Sequence, residues 1–332
     1  MSDDDLQAYL LAGVSRTFAL TIPQLPPELN SVVANAYLLC RIVDTIEDET
    51  ALTADEKRSF GSGFIEVLKN GADAGRFARS LAPRLSAQTI PAEHQMVRSI
   101  PRILGITRRF DTDQQAALAR CIDTMATGMS QFQTQDLKGG LADIRALDRY
   151  CYHVAGCVGE MLTALFCHYS PQIERHAKGL FARAVSFGQG LQMTNILKDI
   201  WDDHQRGVCW LPRDIFDRSG YNLADLAPGR TDGSFQAGLL QLVHIAHGHL
   251  KDALDYTLLI PATETGIRHF CLWALGMAVL TLQKIRRHPG FSRSAQVKIS
   301  RRSVRATILA SKIGVSHDNL LRLFFKAASR GL

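Results

Sequence analysis

Apolar residues recur every three or four positions along most of the chain. This predicts helices over 27–49, 114–134, 146–168, 172–203, 235–259, 266–287 and 316–330. No series of segments alternates apolar and polar residues as strands do. Pro26 and Pro27 suit the first turn of a helix, where a missing N–H costs little. Between 211 and 234 the chain is rich in Pro, Gly, Asp and Arg, which predicts a long loop. No repeat, low-complexity tract or linker interrupts the pattern. The expected architecture is one all-α domain over 1–332.

Composition narrows the partners. Hydrophobic residues make up 46% of the 332, enough for a substantial core, and the formal net charge is +6. A pI near 9 fits an anionic partner, whether nucleic acid, a membrane surface or a phosphorylated substrate. The seven cysteines are odd in number and form no CxxC pair, which points to a reducing cytoplasm. The acidic start Ser2-Asp3-Asp4-Asp5 argues against a targeting peptide. The longest apolar run, 271–282, has twelve residues, short of the roughly 20 a membrane span needs. The expectation is a protein that is soluble or rests on a membrane surface.

Two helices carry carboxylates where apolar residues would be expected. Residues 37–49 read YLLCRIVDTIEDE, and helical spacing puts Tyr37, Arg41, Asp44 and Asp48 on one face, bordered by Glu47. Leu38, Leu39, Ile42, Val43 and Ile46 fill much of the remaining surface. Carboxylates one turn apart repel, more so in a buried stripe, unless a cation compensates. Mg²⁺ prefers oxygen ligands and bridges one or two carboxylates to substrate phosphates. A solvated acidic helix end fits this cluster alone equally well. Residues 191–203, LQMTNILKDIWDD, repeat the pattern: Gln192, Asn195, Asp199 and Asp203 share a face with Asp202 at its edge. Two such stripes on two largely apolar helices argue for metal ions holding a diphosphate, because unpaired charge in a core is costly.

With those residues in view, the chain resembles the squalene/phytoene synthase family over most of its length. The motifs are SRTF at 15–18, DTIED at 44–48, YCYHVAGCVGE at 150–160, LQMTNILKD at 191–199 and DIWDD at 199–203. The resemblance implies an isoprenoid synthase-type helical bundle with a central cavity. It implies Mg²⁺ ligation by Asp44, Asp48, Asp199 and Asp203, with Glu47 and Asp202 beside them. It makes Arg16 and Arg41 diphosphate or cofactor contacts and Tyr150 a helper in proton removal. Ser15, Phe18, Tyr37, Gln192 and Asn195 become substrate-contacting candidates. Lys198, Lys298 and Arg301 become NADPH candidates beside the two arginines.

The first aspartate motif, the run around Tyr150 and the segment QVKISRRSVRATILASKIG at 296–314 look like the squalene-forming branch. That branch joins two farnesyl diphosphates to presqualene diphosphate and reduces it with NADPH, serving sterol or hopanoid biosynthesis. Ser300 departs from the pattern, standing where a basic residue is expected. The eukaryotic C-terminal membrane anchor is not found before Leu332. The expected location is the cytoplasm, with peripheral contact at the inner face of a membrane.

The chemistry follows from the residue types. Mg²⁺ and arginines stabilise charge on a leaving diphosphate. An allylic cation needs a dry cavity, and the faces of Phe18, Tyr37, Tyr150 and Phe187 could stabilise it. For Tyr150, a core tyrosine with a satisfied hydroxyl remains open. Small residues at Ala155, Gly156, Gly159, Gly188 and Gly190 allow either room for an isoprenoid chain or close helix packing. His153 reads as structural. From Lys284 to Arg305 there are eight basic residues and no acidic one, which fits NADPH phosphates, a solvated face or anionic lipid.

Three other outcomes remain. A relative could stop at presqualene diphosphate, dehydrosqualene, hydroxysqualene or phytoene, without reduction. A non-catalytic member could act in membrane-complex assembly, although such a protein is expected to lose motif aspartates. Nucleic-acid binding through the basic segment lacks any recognised motif, so no nucleic acid is expected.

Overall fold

The periodic segments fold as helices, and the described residues contain no strand, only an isolated parallel bridge between Leu141 and Pro212. The structure, a computed structural model, describes residues 2–15, 17–132 and 137–332. Its helices divide into two compact units, 1–135 with 160–175 and 136–159 with 176–332.

The first unit holds α1 (Asp3–Val14), α2 (Phe18–Thr21), α3 (Pro27–Asp48), α4 (Ala54–Asn70), α5 (Ala74–Leu81), α6 (Pro91–Arg98), α7 (Ile100–Thr107) and α8 (Thr112–Phe132). α3 starts with Pro27 in its first turn, as its sequence predicts. It then buries Val32, Leu38, Leu39 and Ile42 completely. Its one deeply buried amide, Asn35, donates to Thr107 Oγ1 at 2.6 Å and accepts from Gln7 Nε2 at 3.3 Å. This polar link ties α1, α3 and α7 at a fixed register, since breaking it would leave buried groups unpaired. The end of the 114–134 helix lies outside the described residues.

In the second unit, α9 (Ile144–Cys151) leads into a π turn, Tyr152–Gly156, and then α10 (Cys157–Tyr169), which continues into the first unit along with α11 (Pro171–Glu174). The unit resumes with α12 (Ala177–Gln205), α13 (Arg213–Ser219), α14 (Gly233–Leu259), α15 (Thr265–Arg287), α16 (Arg301–Gly314) and α17 (Asp318–Ala328). The predicted helix 146–168 is thus helical throughout but holds a π turn, and around that turn it packs closely on α12. A Cβ on Gly188 would sit 2.1 Å from Ala155 O, and one on Gly159 would sit 2.1 Å from Ala184 O. These glycines serve backbone-to-backbone contact, which decides between the two readings at those positions.

The expected long loop at 211–234 is corrected: it contains α13, closed by Gly220 at φ 82°. α15 is long and apolar enough to cross a membrane by length and composition, yet 67% of its most apolar window is buried. It also carries Arg268, which is buried and donates to Ile260 O at 2.8 Å, Val315 O at 2.9 Å and Asp318 Oδ1 at 2.7 Å. Such a helix is a core element of the second unit.

Candidate active site

In the first unit, the face predicted for α3 is realised. Arg41 Nε donates to Glu93 Oε1 at 2.8 Å, and its Nη1 lies 3.6 Å from Asp44 Oδ2. Burial opposes the charge on Arg41, but Asp44 and Glu93 hold it protonated and raise its pKa. Burial pushes the Asp44 carboxyl up to about 7 against the pull of Arg41, and Asp48 and Glu93 add to the rise. Asp44 is therefore a carboxylate whose charge Arg41 compensates only in part. Glu47 is half-buried and Asp48, the last residue of α3, is exposed.

One turn earlier, Tyr37 meets the SRTF segment. Its ring lies 5.1 Å from that of Phe18, and its hydroxyl donates to Val14 O at 3.4 Å. Burial raises the Tyr37 pKa, with a hydrogen bond to Ser15 opposing the rise. Ser15 is buried, and its Oγ accepts from Phe18 N at 2.9 Å, which fixes the turn into α2. Ser15, Phe18, Tyr37, Arg41 and Asp44 thus form one constellation. Arg16 lies outside the described residues. Glu93 was not predicted: it is a lone acid on α6, and nothing in its local pattern marks it.

In the second unit, α12 presents Gln192, Asn195, Lys198, Asp199 and Asp202 at half-buried or exposed positions. Lys198 Nζ lies 3.0 Å from Asp199 Oδ2 and donates to Asn195 Oδ1 at 3.2 Å. Asp203 differs from its neighbours: it is buried, at 7% exposure, and pairs with Arg206. Asp199 and Asp202 are the accessible carboxylates of this stripe. Tyr150, 5% exposed at the end of α9, stacks on Trp210 with centroids 3.7 Å apart and planes at 14°. Trp210 was missed by sequence reasoning because it lies between the helix predicted to end at 203 and the loop predicted from 211, where no helical periodicity marks it. Phe187 packs edge-on against Tyr256 at 5.4 Å.

Lys298 and Arg301 are exposed, just before and at the start of α16. The departure at Ser300 has a structural cause: it is the N-cap, with Oγ accepting from Ser303 N at 3.1 Å. Among the described residues, ligand atoms of one trio, Asp111, Asp113 and His168, lie within 4.8 Å of one another. None of the three belongs to the predicted metal set. A cavity of about 390 Å³ in the first unit, lined by Asp113, Arg120, His168 and Glu174 among others, includes none of the predicted site residues.

Residues 11–303 match the family model described as squalene/phytoene synthase. Over 287 residues the chain is 32% identical to "Squalene synthase ERG9" of Candida albicans, covering 84% of this chain and 61% of the relative. Human squalene synthase is 29% identical over 290 residues, covering 85% of this chain and 65% of the human protein. The chain therefore spans about three fifths of the length of these relatives. A structure of TcSQS with the ligand E5700 superposes with TM-score 0.80 at 22% identity, over 99% of this chain and 91% of that one. Squalene synthase HpnC of Alicyclobacillus acidocaldarius gives 0.57 at 18% identity, over 87% of this chain and 95% of that one. At these identities the superpositions establish the all-helical fold.

Proposed function

Because the chain belongs to the squalene/phytoene synthase family, we propose that it is a Mg²⁺-dependent prenyltransferase making squalene from farnesyl diphosphate. The first half joins two farnesyl diphosphates head to head into presqualene diphosphate, releasing one diphosphate and one proton. The second half reduces presqualene diphosphate, with NADPH as reductant, and releases the other diphosphate.

The observation that carries this reading is Asp44. Its carboxyl is pushed up to about 7 by burial, with Arg41 shared between it and Glu93. Such a group gains when a divalent cation arrives. The donor set is all oxygen, which suits Mg²⁺, and a Mg²⁺ bridging to phosphate needs only one or two carboxylates. Asp44, Glu47 and Asp48 would hold metal on α3, and Asp199, Asp202 and Asp203 on α12. Bound there, Mg²⁺ would supply positive charge to a leaving diphosphate.

The chain's own groups do the rest. Arg41, oriented by Glu93, offers its remaining donors to the leaving diphosphate. Arg16 adds positive charge for a diphosphate or cofactor, and on α12 Lys198 does so for NADPH while Gln192 and Asn195 orient phosphate or carboxylate oxygens by hydrogen bonds. The Ser15 turn sets Phe18 against Tyr37, whose ring faces stabilise an allylic cation. Tyr150, held flat by Trp210, relays the proton lost on cyclopropane closure: its hydroxyl takes up that proton as its own passes to a diphosphate oxygen, the final base. Lys298 and Arg301 contact the phosphates of NADPH at the start of α16. The whole chain works as one catalytic domain, in the cytoplasm, at the inner face of a membrane.

The test is incubation of the protein with farnesyl diphosphate and Mg²⁺, with and without NADPH, and product identification by mass spectrometry. Squalene is expected only with NADPH. If NADPH leaves the product unchanged, the reductive half fails, and the product itself identifies the non-reducing alternative. No condensation at all, with Asp44→Asn and Asp199→Asn leaving cellular function intact, would sink the enzymatic reading.

A further inference from the structure

α16 is built as a two-faced helix. Its inner side is tied to the second unit: Ser311 accepts from Trp273 Nε1 at 2.7 Å, and a Cβ on Gly276 of α15 would lie 2.4 Å from the Thr307 methyl. Ile308 packs against the cluster of Leu272, Trp273, Val315 and Leu321. Its outer side breaks the usual rule for a water-facing surface. Leu309 and Ile313, one turn apart, are 60% and 57% exposed. Helical spacing puts Arg302, Arg305 and Lys312, all exposed, on that same side.

The charge along this stretch of chain is of one sign. Nine Lys and Arg residues and no Asp or Glu lie between Lys284 and His317. Arg302, Arg305 and Lys312 form no ion pair among the described residues. Water alone does not account for two exposed branched aliphatics ringed by unpaired cations. Nucleotide binding would use the basic groups but not the aliphatics. A second copy of this face would bring like charges together. An amphipathic helix with Leu and Ile between Lys and Arg matches the boundary between lipid headgroups and acyl chains.

We propose that the outward face of α16 docks on an anionic lipid bilayer, with Leu309 and Ile313 entering the headgroup boundary and Arg302, Arg305 and Lys312 meeting lipid phosphates. The inference deepens the membrane contact proposed above, and its readout does not depend on turnover. A failed condensation assay and a failed docking assay are therefore distinguishable. Docking there would place a catalyst of water-insoluble hydrocarbon beside a phase that takes up the product.

The experiment is co-sedimentation of the full chain with vesicles of phosphatidylcholine alone or mixed with phosphatidylglycerol, at low and high salt. The wild type should bind the anionic vesicles and lose binding with salt. Leu309→Gln with Ile313→Gln should weaken partition by at least about tenfold, since each apolar side chain loses its insertion. Arg302→Gln, Arg305→Gln and Lys312→Gln should each weaken it by about fivefold and flatten the salt dependence. All five side chains are exposed, so unchanged far-UV circular dichroism is expected. The proposal is overturned if the wild type does not sediment with anionic vesicles. It is equally overturned if the Leu309/Ile313 variant binds as tightly, which would mean adsorption by charge alone. A wild-type dimer that this variant dissociates, without vesicle binding by either, would assign the face to self-association instead.

Discussion

Gly188→Ala is the sharpest test of the close packing of α12 on the π turn before α10. The added Cβ would stand 2.1 Å from Ala155 O, 2.5 Å from Ala155 C and 2.8 Å from Gly156 N. All three are backbone atoms, so no rotamer change relieves the clash. Ordinary contact begins at 3.4 Å, so α12 and the π turn would have to part by about 1.3 Å. Overpacking costs roughly 1–3 kcal/mol where side chains can adjust, and the upper end applies where only backbone can move. Against this, Ala in place of Gly favours a helix by about 1 kcal/mol. The net expectation is a loss of about 2 kcal/mol or more. Gly248→Ala on α14 is the control: its Cβ would meet nothing within 4 Å, so a gain of about 0.5–1 kcal/mol is expected. Urea unfolding followed by far-UV circular dichroism measures both. Near-UV circular dichroism should change only in Gly188→Ala, because the Tyr150–Trp210 stack lies just before the π turn. Gly188→Ala proving as stable as Gly248→Ala would refute the close-approach argument.

Asp44→Asn removes a carboxyl that the fold holds reluctantly. Its folded pKa of about 7 lies above the ordinary 3.8, so its ionisation opposes folding as pH rises above 3.8. Thermal stability without metal should be unchanged or higher at neutral pH, while product formation from farnesyl diphosphate falls by at least about 100-fold. Tyr150→Phe keeps the stack on Trp210 but loses the hydroxyl. The protein should fold normally, and condensation should slow by about 100-fold, read as presqualene diphosphate formed without NADPH. His247 is buried against Phe325 with neither ring nitrogen hydrogen-bonded, and burial pulls its pKa down to about 4 from 6.5. The unfolded chain takes the proton first, so this stabilising term is complete above pH 6.5 and is lost as pH falls towards 4. Denaturant midpoints across that window should fall less in His247→Phe than in the wild type. Arg268→Met leaves its carbonyl acceptors and Asp318 without their shared donor; a loss of about 2–4 kcal/mol is expected from urea unfolding.

The long helices were legible because their apolar periods are strong, and the shorter ones were not, although some carry readable signals. α4 begins with a Thr53–Glu56 capping box and ends at Gly71 in the left-handed region. Both features stand in the sequence, but its apolar positions are too sparse to reveal the helix by periodicity alone. The Asp44 constellation was legible because Tyr37, Arg41 and Asp44 lie on one helix. Glu93 was not, because its link to Arg41 spans 52 positions and no local rule reaches that far. Ser300 looked like a missing cation, and the fold makes it an N-cap.

Asp203 shows where periodicity stops. On an α-helix a step of four residues turns a side chain by about 40° and a step of three by about 60° the other way. Asp202 and Asp203 therefore flank Asp199 at comparable angles, and spacing favours neither. The structure separates them: Asp202 is exposed and Asp203 is 7% exposed. The cause is the chain after α12, which turns back at Gly207, with φ 76°. Val208 N then donates to Asp203 O at 3.0 Å, Arg206 pairs with the carboxylate, and Cys209 comes close enough for that charge to add to the burial that raises its thiol pKa. Helical spacing fixes the direction of a side chain about its axis. What covers that direction is decided by a return segment whose glycine, not its aspartates, carries the signal. A metal-binding role for Asp203 therefore requires Arg206 to yield it, whereas Asp199 and Asp202 already stand open to solvent or half so. Asp202→Asn should then weaken Mg²⁺ activation at least as much as Asp203→Asn, and the reverse order would show that the Arg206 pair opens on binding.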